Sequence, residues 1–344
     1  MNDASRNSRQ LICDALAGRA VPRVPTGPLA VHFCAGLAGV TVRDYTTHAA
    51  RLAESVVRYY ERFHPDAVWV SADTWVSAEA MGAQVGATGP DQPFGGVGPP
   101  LVQTARDLDR IPPPNPSAQG RYPLMLEALA RIVAAVGQEV FVVACFDQYP
   151  FSLAAALMGI NQIMLKLTDD RPMVEALMER CREYGTAYAR ALSDAGADLL
   201  SGGDSPVGLI GPRAYREVAL PFEQRLIAAV KAATRKPVSL HICGAAQPLL
   251  ADMAASGAEV LEIDHQVNLA QACQIVGPDL TLWGNLDPVA VLAQGTPEQV
   301  RQAARRACTV ARACGHRRFV LSSGCTLAMA TPFANLEAML ESAL

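Results

Sequence analysis

The chain has 344 residues, half of them hydrophobic and 18% charged, with 29 basic against 33 acidic side chains and a net charge of −4. So apolar a composition offsets the entropy of ordering by burial, which excludes disorder as the main state. There is no Lys/Arg-rich block and no apolar run of the ~18–20 residues that span a bilayer, so neither nucleic acid nor membrane is an expected partner.

The opening residues hold an apolar stretch too short and too polar for the core of a signal peptide, and a cytoplasmic location is expected. In that reducing compartment the nine cysteines read as free thiols or metal ligands, not as a disulfide framework. Residues 1–23 are expected to form an N-terminal helical extension and 24–344 a single domain.

Strands are expected at 29–34, 67–72, 140–146, 198–202, 238–242, 259–263, 280–284 and 319–322. Most are short, continuously apolar runs, the pattern of parallel strands buried on both faces. Pro and Gly crowd the segment 86–122, read as an insertion after the second strand that covers the mouth of the fold. Met173, Leu177, Cys181, Tyr184 and Tyr188 recur at helical spacing. Thr296 followed by Pro297 marks a helix start, a cap and then proline at the first helical position. A local signature repeats at 194–204 and 256–264: a small residue and glycine close a helix, an apolar strand follows, and the strand ends in Asp. Such repeated helix–turn–strand units, with eight strands in all, predict an α/β fold of the (β/α)8 TIM barrel type, with an open doubly wound sheet as the alternative.

In a barrel the reactive groups gather at the C-terminal ends of the strands. Here those ends hold His32, Asp73, Asp147, Asp204, His241 with Cys243, Asp264, Asn285 and Cys325. Alternate residues of a strand share a face, so His241 and Cys243 aim at one point, a nitrogen–sulfur pair that suits zinc. Cys325, after Gly324 in a tight turn, is the candidate third ligand; three protein ligands leave the open position of a catalytic metal. The bland alternative makes His241 a hydrogen-bonded strand histidine and both cysteines small buried residues. Cys13, Cys145, Cys181 and Cys273 read as core, Cys308 and Cys314 do not converge, and Cys34 is a minor candidate. His48, His64, His265 and His316 are expected on helix surfaces or turns. Asp73, Asp204 and Asp264 suit acids, bases, a further ligand or plain helix caps, and Asp287 suits a cap. With neither Gly-x-Gly-x-x-Gly nor a Walker loop, nucleotide cofactors have no sequence support.

These residues resemble the uroporphyrinogen decarboxylase superfamily, whose members share a distorted (β/α)8 barrel. The resemblance runs from about residue 24 to the C-terminus, through DAVWVSADTWVSAEAMG at 66–82, Gly203-Asp204-Ser205, GPRAY at 211–215, Leu220-Pro221-Phe222, GNLDP at 284–288 and TPFAN at 331–335. The decarboxylases have an arginine-bearing N-terminal signature; the equivalent 28–36 has no arginine, and Ser323-Gly324-Cys325 replaces their Gly-His-Gly type turn. The corrinoid-linked methyltransferase branch, which includes methylcobalamin:coenzyme M methyltransferases, has His-x-Cys and a distant Cys as zinc ligands. His241, Cys243 and Cys325 match that motif residue by residue.

The resemblance implies a zinc (Zn2+) centre, with Asp264, and Glu262 second, as the acidic group that fills the fourth position when substrate is absent. It implies methyl transfer between a corrinoid and a small molecule: a thiol, tetrahydrofolate, or a methoxylated or methylated compound, with the two thiolate ligands leaning toward a thiol. No Asp-x-His-x-x-Gly type corrinoid motif occurs in the chain, so the partner is a separate corrinoid protein or free cobalamin. Asp73, Asp204 and His32 are expected to orient substrate or move protons, and Asn285 to face the corrinoid. A metal-free decarboxylase and a non-catalytic binding barrel are the other readings, and a homodimer is left open.

Overall fold

The computed structural model describes residues 7–343, so the first six residues of the expected extension lie outside the described residues. Helix Ser8–Leu16 precedes nine strands. They are β1 Ala67–Val70, β2 Val85–Gly86, β3 Gly95–Gly96, β4 Phe141–Gln148, β5 Leu199–Gly203, β6 Val238–Ile242, β7 Val260–Ile263, β8 Thr281–Leu286 and β9 Phe319–Ser323. β2 and β3 form a two-residue antiparallel ribbon. The other seven form one parallel sheet in chain order, β1-β4-β5-β6-β7-β8-β9. Strands β1, β6, β7 and β9 are buried at every residue. The apolar runs seen in the sequence are therefore covered on both faces, inside by one another and outside by the connecting helices.

The expected first strand, 29–34, is not one. Those residues run into helix His32–Ala38, closed by Gly39 in the left-handed conformation. Pro25 and Pro28 have no N–H to offer a ladder, and a short buried apolar run has the same composition in a helix as in a strand. Only Pro25, Thr26 and Gly27 act as a stave. Leu321 N–H donates to Pro25 O (2.9 Å) and Gly27 N–H to Leu321 O (3.0 Å) on the β9 side. On the other side, Asp66 and Ala67 N–H donate to Thr26 O at 2.9 and 3.1 Å. This three-residue segment joins the two edges of the seven-stranded sheet, which makes the barrel a distorted one.

Trp69 and Trp283 meet edge to face inside this closure, with centroids 6.0 Å apart. Trp283 Nε1 and Ser322 Oγ donate to Gly27 O at 2.7 and 2.8 Å. A side chain at Gly27 would lie 2.3 Å from the Trp283 ring, so glycine is what lets the stave approach.

Between the strands, helix Pro297–Ala313 begins as expected with Thr296 and Pro297, in a capping box with Gln299. The segment after β1 contains the β2–β3 ribbon and the 3-10 helix Ala105–Arg110, and returns through helix Tyr122–Val136. It is tied to the barrel by Phe94, whose ring lies 4.4 Å from the guanidinium carbon of Arg121. Among the described residues no single helix is long and apolar enough to cross a membrane.

Candidate metal centre

β6 pairs with β7 in the register His241↔Glu262. The His241 ring thereby meets the Glu262 carbonyl, and Nδ1–H donates to it at 2.9 Å. A carbonyl only accepts, so the tautomer is fixed and Nε2 is the nitrogen that faces the sulfurs. It lies 2.8 Å from Cys243 Sγ, which is 3.6 Å from Cys325 Sγ. All three donor atoms fall within 4.8 Å of one another, and among the described residues no other group of three or more His, Cys, Asp or Glu side chains meets in this way. One tetrahedral ion with zinc–sulfur bonds of ~2.3 Å and a zinc–nitrogen bond of ~2.0 Å needs its donors roughly 3.5 Å apart. The 3.6 Å sulfur–sulfur separation suits that ion, the 2.8 Å nitrogen–sulfur contact is shorter than an ion between them would set, and two sulfurs with one oriented imidazole suit zinc in chemistry.

The same proximity sets the protonation of the cluster. The Cys325 thiol is held down to about 3, first by the hydrogen bond from Cys243 and then by His241, against burial. Cys243 is pushed up by its contact with Cys325 and by burial. Burial pulls His241 down, but the Cys325 sulfur and the Glu262 carboxylate outweigh it and raise the imidazole to about 9.

Cys325 reaches the cluster because its neighbour has no side chain. A Cβ at Gly324 would sit 2.4 Å from His265 N and 3.1 Å from Asp264 C. The turn it lies against is braced from several sides. Asp264 Oδ1 accepts from Gln266 N–H (2.9 Å), and His265 Nδ1 is 3.0 Å from it. Asn285 Nδ2 donates to Asp264 O (3.0 Å) and Val267 O (2.8 Å). The amide hydrogens of Asn285 thus hold a turn that supports the centre. The Asp264 carboxylate caps that turn and is not among the three converging donors. Glu262 also stays outside them: its Oε1 accepts from Ser201 Oγ (2.8 Å) and from Ser239 Oγ, and burial raises its carboxyl.

Of the other residues singled out in the sequence, His32 and Asp73 lie side by side at the end of β1 and Asp204 lies apart, at the end of β5. His32 Nε2 donates to Ala72 O (2.7 Å), and its ring meets Tyr45 edge to face. Asp73 is buried and takes two bonds from Arg121, at 2.5 and 3.1 Å, while Arg121 Nε reaches Glu79 at 2.5 Å. Asp204 has no exposed surface; its Oδ1 accepts from Ser152 N–H (2.7 Å). Burial lifts its carboxyl to about 6, beside Glu223, which burial and the Asp204 charge push well up.

Arg121, Glu79 and Glu223 carry no local sequence pattern and were not assigned from it. Asp147 was visible only as a strand end. Its φ is +83°, uncommon for a residue with a side chain. Its Oδ2 accepts from Ser77 N–H (2.8 Å), Oδ1 is buried without a partner, and burial raises it to about 7.

The chain has relatives in sequence and in fold. The chain matches the family described as uroporphyrinogen decarboxylase (URO-D) over residues 7–343, and it belongs to that family. It is 32% identical over 298 residues, 85% of this chain and 84% of the relative, to the methylcobamide:CoM methyltransferase MtbA of Methanosarcina mazei. It is 29% identical to a uroporphyrinogen decarboxylase of Frankia casuarinae, over 76% of this chain and 69% of that one. A solved methyltransferase from Methanosarcina mazei superposes with a TM-score of 0.88 over 98% of both chains, at 24% identity, a likeness of fold.

Proposed function

We propose that the protein is a zinc-dependent methyltransferase that moves a methyl group between a corrinoid and a small thiol. The observation that carries this reading is the convergence of His241, Cys243 and Cys325 at the strand ends. The 32% identity to a methylcobamide:CoM methyltransferase supports it. His241, Cys243 and Cys325 would hold the ion, with the substrate sulfur completing the set. When bound, zinc stabilises the thiolate form of a thiol at neutral pH.

The chain's own groups set the stage for that sulfur. The Glu262 carbonyl orients His241, and the 264–267 turn supports the loop that brings in Cys325. Asp73, clamped by Arg121, lies at the end of β1, and His32 is anchored on Ala72 beside it. We assign Asp73 and His32 to placing the substrate. Asp204, buried with Glu223, caps the helix Pro150–Met158 and steadies the end of β5; its N–H donates to His241 O at 2.8 Å. In the transfer, a bond forms between the substrate sulfur and the methyl carbon as the cobalt–carbon bond breaks. The electron pair of the broken bond stays on cobalt, and the thiol proton leaves to solvent. The corrinoid is a co-substrate, brought to the mouth free or on a separate corrinoid protein.

The test is metal content together with methylcobalamin consumption. The purified protein is expected to hold one zinc per chain and to demethylate methylcobalamin in the presence of 2-mercaptoethanol. Cys325→Ala is expected to lose both properties while keeping its circular dichroism spectrum. A wild-type protein without stoichiometric zinc, or a Cys325→Ala variant that retains it, defeats the proposal in favour of the metal-free decarboxylase.

A further inference from the structure

A methyl group brought to this centre meets more than one nucleophile. With zinc bound, Cys243, Cys325 and a substrate thiol would all be thiolates on one ion. Methylation of a protein sulfur makes a thioether, which carries no charge and binds the metal weakly, so the centre would be lost. A centre that turns over needs a difference between its own sulfurs and the incoming one.

Each protein sulfur has a hydrogen-bond donor of its own. Ser205 follows Asp204 at the end of β5 and opens the 3-10 helix Ser205–Leu209. β5 pairs with β6 in the register Gly203↔His241, and Asp204 N–H donates to His241 O at 2.8 Å, which brings the next residue beside Cys243. Ser205 Oγ accepts from Cys243 N–H at 3.3 Å, and the Ser205 side chain is hydrogen-bonded to the Cys243 sulfur as well. A hydroxyl that accepts from the main chain still has its hydrogen to give, and the sulfur is there to receive it. For Cys325 the donor is main chain. Gly324 N–H donates to Leu286 O (2.7 Å) and Leu327 N–H to Leu29 O (2.9 Å), so the chain is held on both sides, and Thr326 N–H is hydrogen-bonded to the Cys325 sulfur.

Hydrogen bonds to an anion are stronger than those to a neutral acceptor, and they weaken as the acceptor loses its charge. Attack on a methyl group discharges the sulfur, so a donor resting on that sulfur raises the barrier to its methylation. We propose that the Ser205 hydroxyl protects Cys243 from methylation by donating to its sulfur, as Thr326 N–H does for Cys325, and so leaves the substrate thiol as the nucleophile. The proposal rests on the zinc centre of the methyltransferase reading. It makes Ser205 a positioning residue that acts through Cys243.

The zinc-loaded protein is treated with methyl iodide, and S-methylation of each cysteine is followed by peptide mass spectrometry. A sulfur–carbon bond forms as the carbon–iodine bond breaks, and the electron pair leaves on iodide. Ser205→Ala is expected to be methylated at Cys243 about tenfold faster than wild type, the size of one hydrogen bond to a charged group. Cys325, whose donor is untouched, and the exposed Cys314 should keep their rates within about twofold. Ser205→Thr, which keeps the hydroxyl, should restore the protection. In the cobalt(II)-loaded protein, Ser205→Ala should move the sulfur-to-metal absorption to lower energy, because a sulfur without its donor holds its electrons less tightly. An unchanged Cys243 rate in Ser205→Ala, an equal acceleration at Cys325, or no rescue by threonine overturns the proposal. None of these readouts uses a corrinoid. If Ser205 protects Cys243 while methylcobalamin is not demethylated with any thiol, the protection stands and the methyltransferase reading falls; a wild type that binds no zinc defeats both.

Discussion

Gly324→Ala puts the proposed centre under the most direct strain. The added Cβ would sit 2.4 Å from His265 N and 3.1 Å from both Asp264 C and His265 Cα, so it meets main chain rather than a side chain that can swing away. Ordinary contact begins near 3.4 Å, and the two loops must separate by about 1 Å. The 264–267 turn cannot yield cheaply, because Asn285 holds two of its carbonyls from outside and the Gln266 N–H bond to Asp264 Oδ1 braces it from within. The displacement therefore falls on Cys325. Metal–ligand distances tolerate about 0.2 Å, and overpacking of this kind costs about 1–3 kcal/mol. Converted at about 1.4 kcal/mol per tenfold, that is a loss of roughly 5- to 150-fold in zinc affinity.

Competition with a chromophoric chelator measures it, and the cobalt-loaded variant should show reduced sulfur-to-metal absorption. Gly203→Ala is the control. It lies on β5, paired with His241, and its Cβ would find only His241 O at 3.8 Å. Zinc affinity of Gly324→Ala within threefold of wild type, or an equal loss in Gly203→Ala, refutes the claim that the close approach at residue 324 places the third ligand.

Two further outcomes follow from buried charge. Asp147, raised from an ordinary 3.8 to about 7 by burial, holds its proton more tightly folded than unfolded. Its stabilising contribution is full below about pH 4 and is lost as pH rises through about 7, a swing of up to about 4 kcal/mol. The wild type should thus lose stability relative to Asp147→Asn between pH 4 and 8 in urea titrations, and a difference that does not change with pH contradicts it. Arg121→Met leaves the buried Asp73 and the partly exposed Glu79 without their partner, and the buried pair alone costs about 3–5 kcal/mol to break. Arg121→Lys, lacking the planar fork, should recover only part of that. Denaturant unfolding that places Arg121→Met within 1 kcal/mol of wild type speaks against the clamp.

Much of this fold was legible because parallel strands buried on both faces leave unbroken apolar runs. The seven strands of the main sheet lie within a residue or two of where those runs occur. The eighth was not, for a physical reason: a stave bounded by Pro25 and Pro28 bonds through three residues only, while the adjoining apolar run folds as a buried helix. The pairing of His241 with Cys243 could be read from strand alternation alone. Cys325 is 82 residues away from Cys243, and could be brought to them only by placing every strand end on one rim.

Alternation failed where two acids shared a face. Glu262 and Asp264 are equivalent by position, and only the structure separates them. Glu262 reaches two serines inside the barrel, while Asp264 turns back on its own loop. The clamp at Asp73 was hidden for a different reason. Arg121 comes from the far end of a segment whose Pro and Gly composition announces a loop but not where it returns, 48 residues on. Strand ends thus record in sequence which groups stand at the mouth, whereas the partners that fix their charge come from helices and insertions that local pattern does not position. For this chain the difference is chemical. Read alone, the aspartates Asp73, Asp204 and Asp264 suit acids, bases, a further ligand or plain helix caps alike. With their backbone donors and Arg121 in place, they are partnered groups that brace the turns around a sulfur-rich centre.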